Sequence, residues 1–278
     1  MSPSPRLEAL PPLRERLQAH GLMADKAFGQ HFLLDLNVTR KIVRLAELSP
    51  ELPVIEVGPG PGGLTRALLE AGLKVTAIEK DARFLPLLEE LTEAAEGRLT
   101  LVEGDALKAD ETALLGGGDF SVASNLPYNV GTPLLIKWLT RATPPAAMAL
   151  MFQKEVADRI VAAPGQDAYG RLSVIAQAVC EARLVMDLPA RAFTPPPKVA
   201  SAVVRLAPRA QRPGGAALAA LERVTAAAFG QRRKMLRSSL KALGGAELCA
   251  RAGLEADRRA ETLSIAQFLA LAAALPQT

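Results

Sequence analysis

Residues 54–65, Val54-Ile-Glu-Val-Gly58-Pro-Gly60-Pro-Gly62-Gly63-Leu-Thr65, constrain the fold of this chain more than any other stretch. The β-branched run predicts a strand. The glycines predict a tight loop brought close to another group, and Leu64-Thr-Arg-Ala-Leu-Leu-Glu70 has helical spacing. A strand that passes through such a loop into a helix commits the chain to a layered α/β arrangement. Gly58, Gly60 and Gly63 satisfy the G-x-G-x-x-G pattern. Glu79 closes the next apolar run, Val75-Thr-Ala-Ile78, where a ribose-binding carboxylate belongs. The unit therefore suits any cofactor that contains adenosine, NAD included.

Further apolar runs follow at Leu99–Val102, Phe120–Ala123, Ala146–Phe152, Arg183–Leu188 and Ser201–Leu206. With the first two they predict a doubly wound, Rossmann-like sheet of seven strands, the last two joined as a hairpin across Pro189–Ala200. Gly58, Glu79, Asp105 and Asn125 all fall at strand ends, where open α/β sheets bind ligands.

Two features favour a ligand other than a dinucleotide. Pro59 and Pro61 each remove a backbone N–H that a pyrophosphate would use. The third run ends in Glu103-Gly-Asp105-Ala106, where the Asp105 carboxylate can accept from an adenine amine and the Ala106 N–H can donate to a ring nitrogen. An adenosine with an amino-acid tail and no phosphate suits this set, and S-adenosylmethionine is such a molecule. The fourth run leads into Asn125-Leu126-Pro127-Tyr128. The Asn125 side-chain oxygen can accept from an exocyclic amine. Pro127 keeps Leu126 out of the α region, so its carbonyl can be a second acceptor. Tyr128 offers a stacking face, worth about 1–3 kcal/mol per base.

The ordered motifs resemble the small-subunit ribosomal RNA adenine dimethyltransferases of the KsgA type, related to the Erm-type 23S enzymes. Phe28-Gly-Gln-His31-Phe-Leu33 resembles the N-terminal signature of that family, Glu56 to Thr65 its cofactor loop, and Asn125 to Tyr128 its catalytic motif. Phe193-Thr-Pro-Pro-Pro-Lys-Val-Ala-Ser201-Ala-Val-Val-Arg205 resembles its late segment, and Arg232-Arg-Lys-Met-Leu-Arg237 its basic motif. His31 stands where many members carry Asn. The resemblance implies dimethylation of adenosine N6, with S-adenosylmethionine as cofactor and 16S rRNA of the small ribosomal subunit or its precursor as partner. It also implies an antiparallel last strand. His31, Leu33, Gly58, Gly60, Glu79, Asp105, Ala106 and Asn125 are the expected cofactor contacts; Asn125, Leu126, Tyr128 and Phe193 are expected at the target base. For Phe193 a core position beside a proline-rich turn is an equal alternative. Glu56 either steers the ammonium end of the cofactor or hydrogen-bonds the loop. A 23S-directed enzyme, a largely non-catalytic ribosome-assembly factor and a nicotinamide-dependent dehydrogenase are the competing readings.

Charge sets the tail apart. From Arg209 onward there are 11 basic and 5 acidic residues, net +6, against +4 for the whole chain, so residues 1–208 carry about −2. Pro208-Arg-Ala-Gln-Arg-Pro-Gly-Gly215 reads as a linker. The expected domains are therefore a methyltransferase domain over 1–208 and a small basic, helical, RNA-binding domain over 209–278. Helices are expected over Ala216–Leu243 and Ala246–Leu275, broken at Gly244-Gly245 and Gly253. Arg233, Arg237 and Lys241 recur every fourth residue and are expected on one phosphate-binding helix face. The two cysteines, Cys180 and Cys249, and the two histidines, His20 and His31, lack metal-ligand spacing, so no metal is expected. Met1-Ser-Pro-Ser-Pro-Arg6 is followed by no apolar stretch and the run Ala266–Leu275 is too short for a bilayer, so neither a signal peptide nor a membrane span is expected. A monomeric cytoplasmic protein is expected.

Overall fold

In a computed structural model, the structure describes residues 4–23, 30–231 and 233–276. Phe28 and Gly29 of the N-terminal signature and Arg232 of the basic motif lie outside the described residues. The chain divides into two compact units. One comprises residues 1–138, 145–157 and 184–206, and the other residues 139–144, 158–183 and 207–278. The second unit is thus assembled from the tail and two earlier segments, whereas the expected division at 208/209 was linear.

All seven predicted strands form one sheet: β1 (Val54–Val57), β2 (Val75–Glu79), β3 (Leu99–Glu103), β4 (Ser121–Asn125), β5 (Ala147–Gln153), β6 (Cys180–Leu188) and β7 (Ser201–Pro208). Their order across the sheet is β3-β2-β1-β4-β5-β7-β6. β1 pairs in parallel with both β2 (Val54 opposite Val75) and β4 (Val54 opposite Ser121). The order reverses at that point, which opens the crevice where such sheets take ligands. β7 runs antiparallel to β5, with Met148 opposite Leu206. β1 and β2 are buried along their whole lengths, as parallel strands covered on both faces must be. A hydrogen bond from Ser124 Oγ to the Val57 carbonyl, 2.6 Å, ties β4 to β1 one residue short of Asn125 and of Gly58.

A separate two-residue ladder pairs Phe32 with Thr194 and Leu33 with Phe193, antiparallel. It fastens the chain before the sheet to the segment before β7. The ladder also explains one glycine. A Cβ on Gly63, the first residue of helix Gly63–Glu70, would stand 2.6 Å from the Leu33 carbonyl oxygen.

In the second unit, helix Gly215–Gly230 and helix Ile265–Ala273 bring Phe229 onto Phe268, with ring centroids 5.4 Å apart. Tyr169 donates to the Leu263 carbonyl at 2.8 Å. The helix expected over Ala216–Leu243 stops early. Gln231 leaves helical geometry (φ −131°, ψ 62°), and the N–H groups of Leu236 and Arg237 donate to the carbonyls of Arg258 and Ala256. These distant carbonyls take donors that a continuous helix would have needed. Arg233 therefore lies in a turn, Arg237 in the short helix Leu236–Ser239 and Lys241 in the 3₁₀ turn Lys241–Leu243. The single four-residue stripe is not formed, although all three side chains are exposed and Leu236 and Leu240 are buried. The breaks at Gly244-Gly245 and Gly253 occur as expected, each glycine at positive φ.

The Gly63 contact is with backbone, which cannot swing aside. Gly63→Ala is expected to lower stability by about 1–3 kcal/mol through overpacking. A shift of the urea midpoint checks this; an unchanged midpoint would show that the Leu33 strand yields.

Candidate active site

The carboxyl ends of β1, β2, β3 and β4 open into one cleft. Its lining includes His31, Gly58, Gly60, Glu79, Asp105, Ala106, Asn125, Leu126 and Tyr128. Nine of the expected site residues thus lie together, although they come from five separate stretches of chain. Two others do not. Leu33 and Phe193 face each other in the two-residue ladder and are 5% and 2% exposed, inside the main hydrophobic core. Phe193 packs in the core, as one of its two expected placements had it, and does not line the cleft. Leu33 likewise packs in the core and does not line the cleft. Together they bring His31 and Pro195 side by side.

The glycine loop is closed upon itself. Gly58 and Gly60 take φ of 64° and 51°, in the left-handed region. The Gly58 N–H donates to the Ile78 carbonyl, Gly60 N–H to Glu79 Oε2 and Gly62 N–H to the Pro59 carbonyl, each at 2.9 Å. Pro59 and Pro61 have no N–H. From 58 to 62, therefore, every amide hydrogen is either absent or engaged. Nearby cations are engaged as well. Lys80 Nζ pairs with Asp105 Oδ2 at 3.0 Å, and Arg83 binds both oxygens of Asp81. Among the described residues, a pyrophosphate would find no free amide from 58 to 62, and Lys80 and Arg83 are already paired, which counts against the dehydrogenase reading.

Carboxylates dominate the polar lining. Glu79 Oε1 accepts from the N–H groups of Lys80 and Asp81 at 2.9 and 2.8 Å, in addition to the Gly60 bond on Oε2. Burial raises the Glu79 pKa and the three N–H donors oppose that rise. Asp105 is held below the ordinary carboxylate range by the Lys80 hydrogen bond, reinforced by the Leu107 N–H on Oδ1 at 3.0 Å. Asp81 accepts from Gln30 at 2.8 Å. Gln30, Lys80 and Asp81 line the cleft too, and sequence reading missed them. For the last two a signal existed, since they directly follow Glu79 at the end of β2.

At the opposite wall Asn125 Nδ2 donates to the His31 carbonyl at 3.1 Å. A carbonyl can only accept, so the amide orientation is fixed and Oδ1 remains as the acceptor. The N–H groups of Val130 and Gly131 both turn to the Pro127 carbonyl at 3.1 Å, passing over that of Leu126. Tyr128 is anchored at its hydroxyl, 2.7 Å from Ser201 Oγ, and its ring centroid lies 5.7 Å from that of His31 at an interplanar angle of 30°. Burial raises the Tyr128 pKa, against the Ser201 hydrogen bond, so the phenol stays neutral. Ser201 is a further residue whose role only the fold discloses. His31 Nδ1 lies 2.8 Å from the Pro195 carbonyl and must carry its proton to make that bond. Among the described residues no cluster of His, Cys, Asp and Glu could hold a metal ion, and no helix is long and apolar enough to cross a membrane.

The model of the family described as ribosomal RNA adenine dimethylase matches residues 21–277. The chain belongs to this family. Among curated dimethylase relatives, "Ribosomal RNA small subunit methyltransferase A" of Phenylobacterium zucineum is 70% identical over 266 residues, covering 96% of this chain and 93% of its own. Its counterpart in Caulobacter vibrioides is 73% identical over 252 residues, covering 91% and 97%. Among solved structures, a dimethyladenosine transferase from Plasmodium falciparum superposes with a TM-score of 0.71 at 26% identity, over 87% of this chain and 96% of that one. The 23S rRNA methyltransferase ErmE gives 0.70 at 29% identity, over 88% and 100%. The dimethylase family thus shares the methyltransferase fold seen here.

One buried carboxyl lies beneath the glycine loop. Glu56, on β1, is 2% exposed. Among the described residues its Oε2 and Thr65 Oγ1 have no partner within hydrogen-bond geometry, although interaction with Thr65 opposes the effect of burial on the Glu56 pKa. Burial pushes its pKa up to about 8, with Glu79 adding like-charge repulsion. The unfolded chain releases this proton at lower pH than the folded one. Stability of the parental protein should therefore fall as pH rises from the ordinary carboxylate range towards 8. Glu56→Gln should remove that fall. Melting temperature against pH for both proteins, without cofactor, measures the difference; parallel profiles would acquit Glu56.

Proposed function

We propose that this chain transfers methyl groups from S-adenosylmethionine to N6 of adenosines in 16S rRNA of the small ribosomal subunit or its precursor, two per base. The observation that carries this reading is the Asn125 amide. The His31 carbonyl holds its nitrogen and leaves its oxygen as an acceptor in a cleft whose other wall is made for adenosine. The level of identity to the small-subunit relatives, against 29% for the 23S enzyme, favours the small-subunit target over the 23S alternative. Two adjacent adenosines in the hairpin near the 3′ end of that RNA are the expected targets.

The residues present fit the cofactor. Its adenosine finds carboxylates at two strand ends, and its cationic character is compatible with a lining that holds Glu79, Asp81 and Asp105 and a glycine loop whose amides at 58–62 are absent or engaged. Glu79 would hold the ribose hydroxyls, Asp105 and the Ala106 N–H the adenine, and Gly58 and Gly60 would let the chain approach closely. His31 would form part of the wall. When bound, S-adenosylmethionine supplies a methyl group on a sulfonium. The work of the protein lies on the other reactant. Oδ1 of Asn125 and the Leu126 carbonyl accept from the target amine, which favours a pyramidal nitrogen and opposes the delocalisation of its lone pair into the ring. The same two acceptors stabilise positive charge as it develops on that nitrogen, and they do so without reorganising. Both are neutral, so neither holds the amine as a fixed ion pair between the first and second transfers. The extruded base costs a few kcal/mol to unstack, and the Tyr128 ring, pinned through Ser201, recovers part of that by stacking.

The second unit is proposed to meet RNA phosphates through Arg233, Arg237 and Lys241. They are exposed and presented from a turn, a short helix and a 3₁₀ turn. Arg237 is paired with Asp257 at 2.6 Å and would exchange that partner for phosphate. A monomeric cytoplasmic enzyme remains the expectation.

Two substitutions test the site. Asn125→Ala should lower methyl transfer to isolated small subunits by about two decades or more, the effect of losing one preorganised transition-state partner, while cofactor affinity moves less. Transfer at the parental rate, or label recovered in large subunits, would overturn the role or the target. Asp105→Ala should weaken S-adenosylmethionine binding by about one to two decades with the fold intact. Calorimetry that finds parental affinity would remove Asp105 from the adenine pocket.

A further inference from the structure

Behind the adenine wall of the cleft lies a buried network that the proposed chemistry does not use. Lys137, near the end of helix Gly131–Leu139, sends its ammonium into the segment that follows β3. Nζ donates to the Ala106 carbonyl at 2.8 Å, to the Ala109 carbonyl at 2.6 Å and to Glu111 Oε1 at 2.8 Å. Glu111 is fully buried, and the same oxygen accepts the indole N–H of Trp138 at 2.9 Å. Two neighbours on one helix thus converge on one carboxylate behind the loop.

The decisive detail is the peptide unit between Ala106 and Leu107. Its carbonyl is taken by Lys137, and its N–H donates to Asp105 Oδ1 at 3.0 Å. A peptide unit is planar, so fixing one end sets the direction of the other. On the other oxygen, among the described residues, Asp105 has only Lys80, a side chain 69% exposed. An exposed ammonium is a weak tether. The lasting orientation of the Asp105 carboxylate therefore comes through the peptide from Lys137.

We infer that Lys137 is a positioning residue for cofactor recognition: through the Ala106–Leu107 peptide it holds Asp105 and Ala106 in the geometry that an adenine ring requires. This rests on the reading of the cleft as an S-adenosylmethionine site. Glu111 is the counter-charge beside that ammonium, at 2.8 Å, while the two carbonyls hold the ammonium in the loop. Because helix Gly131–Leu139 follows the Asn125–Tyr128 turn directly, and Leu134 from it lines the same cleft, the adenine wall and the target-base wall are built on one rigid element. A purely structural ion pair would not need its cation to spend two of its donors on the carbonyls of a ligand-binding loop.

The chain carries its own reporter, since Trp138 is its only tryptophan. S-adenosylmethionine is titrated into the parental protein, Lys137→Met, Glu111→Gln and the double variant, following Trp138 emission and, independently, heat. Lys137→Met should bind the cofactor about tenfold or more weakly, as expected for a lost charged donor. In methyl transfer it should show a raised KM for cofactor with kcat at saturation within about twofold. Lys137→Met alone leaves Glu111 buried without its ammonium and is at risk of unfolding. The double variant removes both charges, keeps an acceptor for the indole and should show the same loss of affinity. Glu111→Gln, which retains the donors to both carbonyls, should bind within about threefold of the parent. Parental affinity in the folded double variant would overturn the proposal, as would an equal loss in Glu111→Gln, which would make the network a brace. A parental protein that fails to bind S-adenosylmethionine would instead overturn the reading of the cleft, and this inference with it.

Discussion

The hydrogen bond from the Gly60 N–H to Glu79 is the contact on which the rest of the site depends. It joins the loop after β1 to the end of β2, and the same carboxylate collects the next two N–H groups of its own strand end. A buried acid with three amide donors is fixed in place, and so is the loop that supplies one of them. The left-handed glycines, the Phe32 ring under Gly60 and the start of helix Gly63–Glu70 all follow from where that loop is held. The ring lies 3.0 Å from the place a Cβ on Gly60 would occupy, so the loop has no room to take another residue without moving.

Much of this was legible in the sequence because strand ends are. Gly58, Glu79, Asp105 and Asn125 stand where apolar runs stop, and in a sheet that is parallel around β1 such stops fall on one edge. The seven runs needed no correction in number or order of appearance. Leu33 and Phe193 were less transparent because hydrophobicity alone does not say which way a short strand faces. Their fate is set by pairing with each other across most of the catalytic unit, and no local pattern encodes that register. The basic stripe misled for a related reason. Four-residue spacing describes a face only if the backbone is helical, and around Met235 the amide hydrogens are claimed by carbonyls from residues 256 and 258. The same argument covers Lys137 and Glu111, which no spacing in the sequence links and which only the fold places against each other.

The site divides its polar groups by charge. Carboxylates stand at the end proposed for adenosine, while the end proposed for the target base has an amide, a main-chain carbonyl and a phenol whose pKa burial raises. That separation follows from which strand each comes from: β2 and β3 end in acids, β4 in Asn125. The two-residue ladder of Phe32–Leu33 with Phe193–Thr194 then closes the neutral end, bringing the His31 ring to Pro195 and the His31 carbonyl to Asn125. A short sheet of little stability of its own is thus kept by the core residues it buries, and its product is the orientation of one amide.

The amide-depleted glycine loop has a consequence for competition inside a cell. Adenosine is the common handle of many metabolites, and most of them carry it with phosphates attached. A site that recognised the nucleoside alone would be crowded by ATP and its relatives, whatever its affinity for the intended molecule. Two prolines and three engaged glycine N–H groups would offer the phosphates of those competitors no donor from residues 58–62, beside the carboxylates of Glu79 and Asp105. Selectivity of this kind would rest on withheld donors, and a loop that resembles a phosphate cradle in its glycine spacing would work as a phosphate filter.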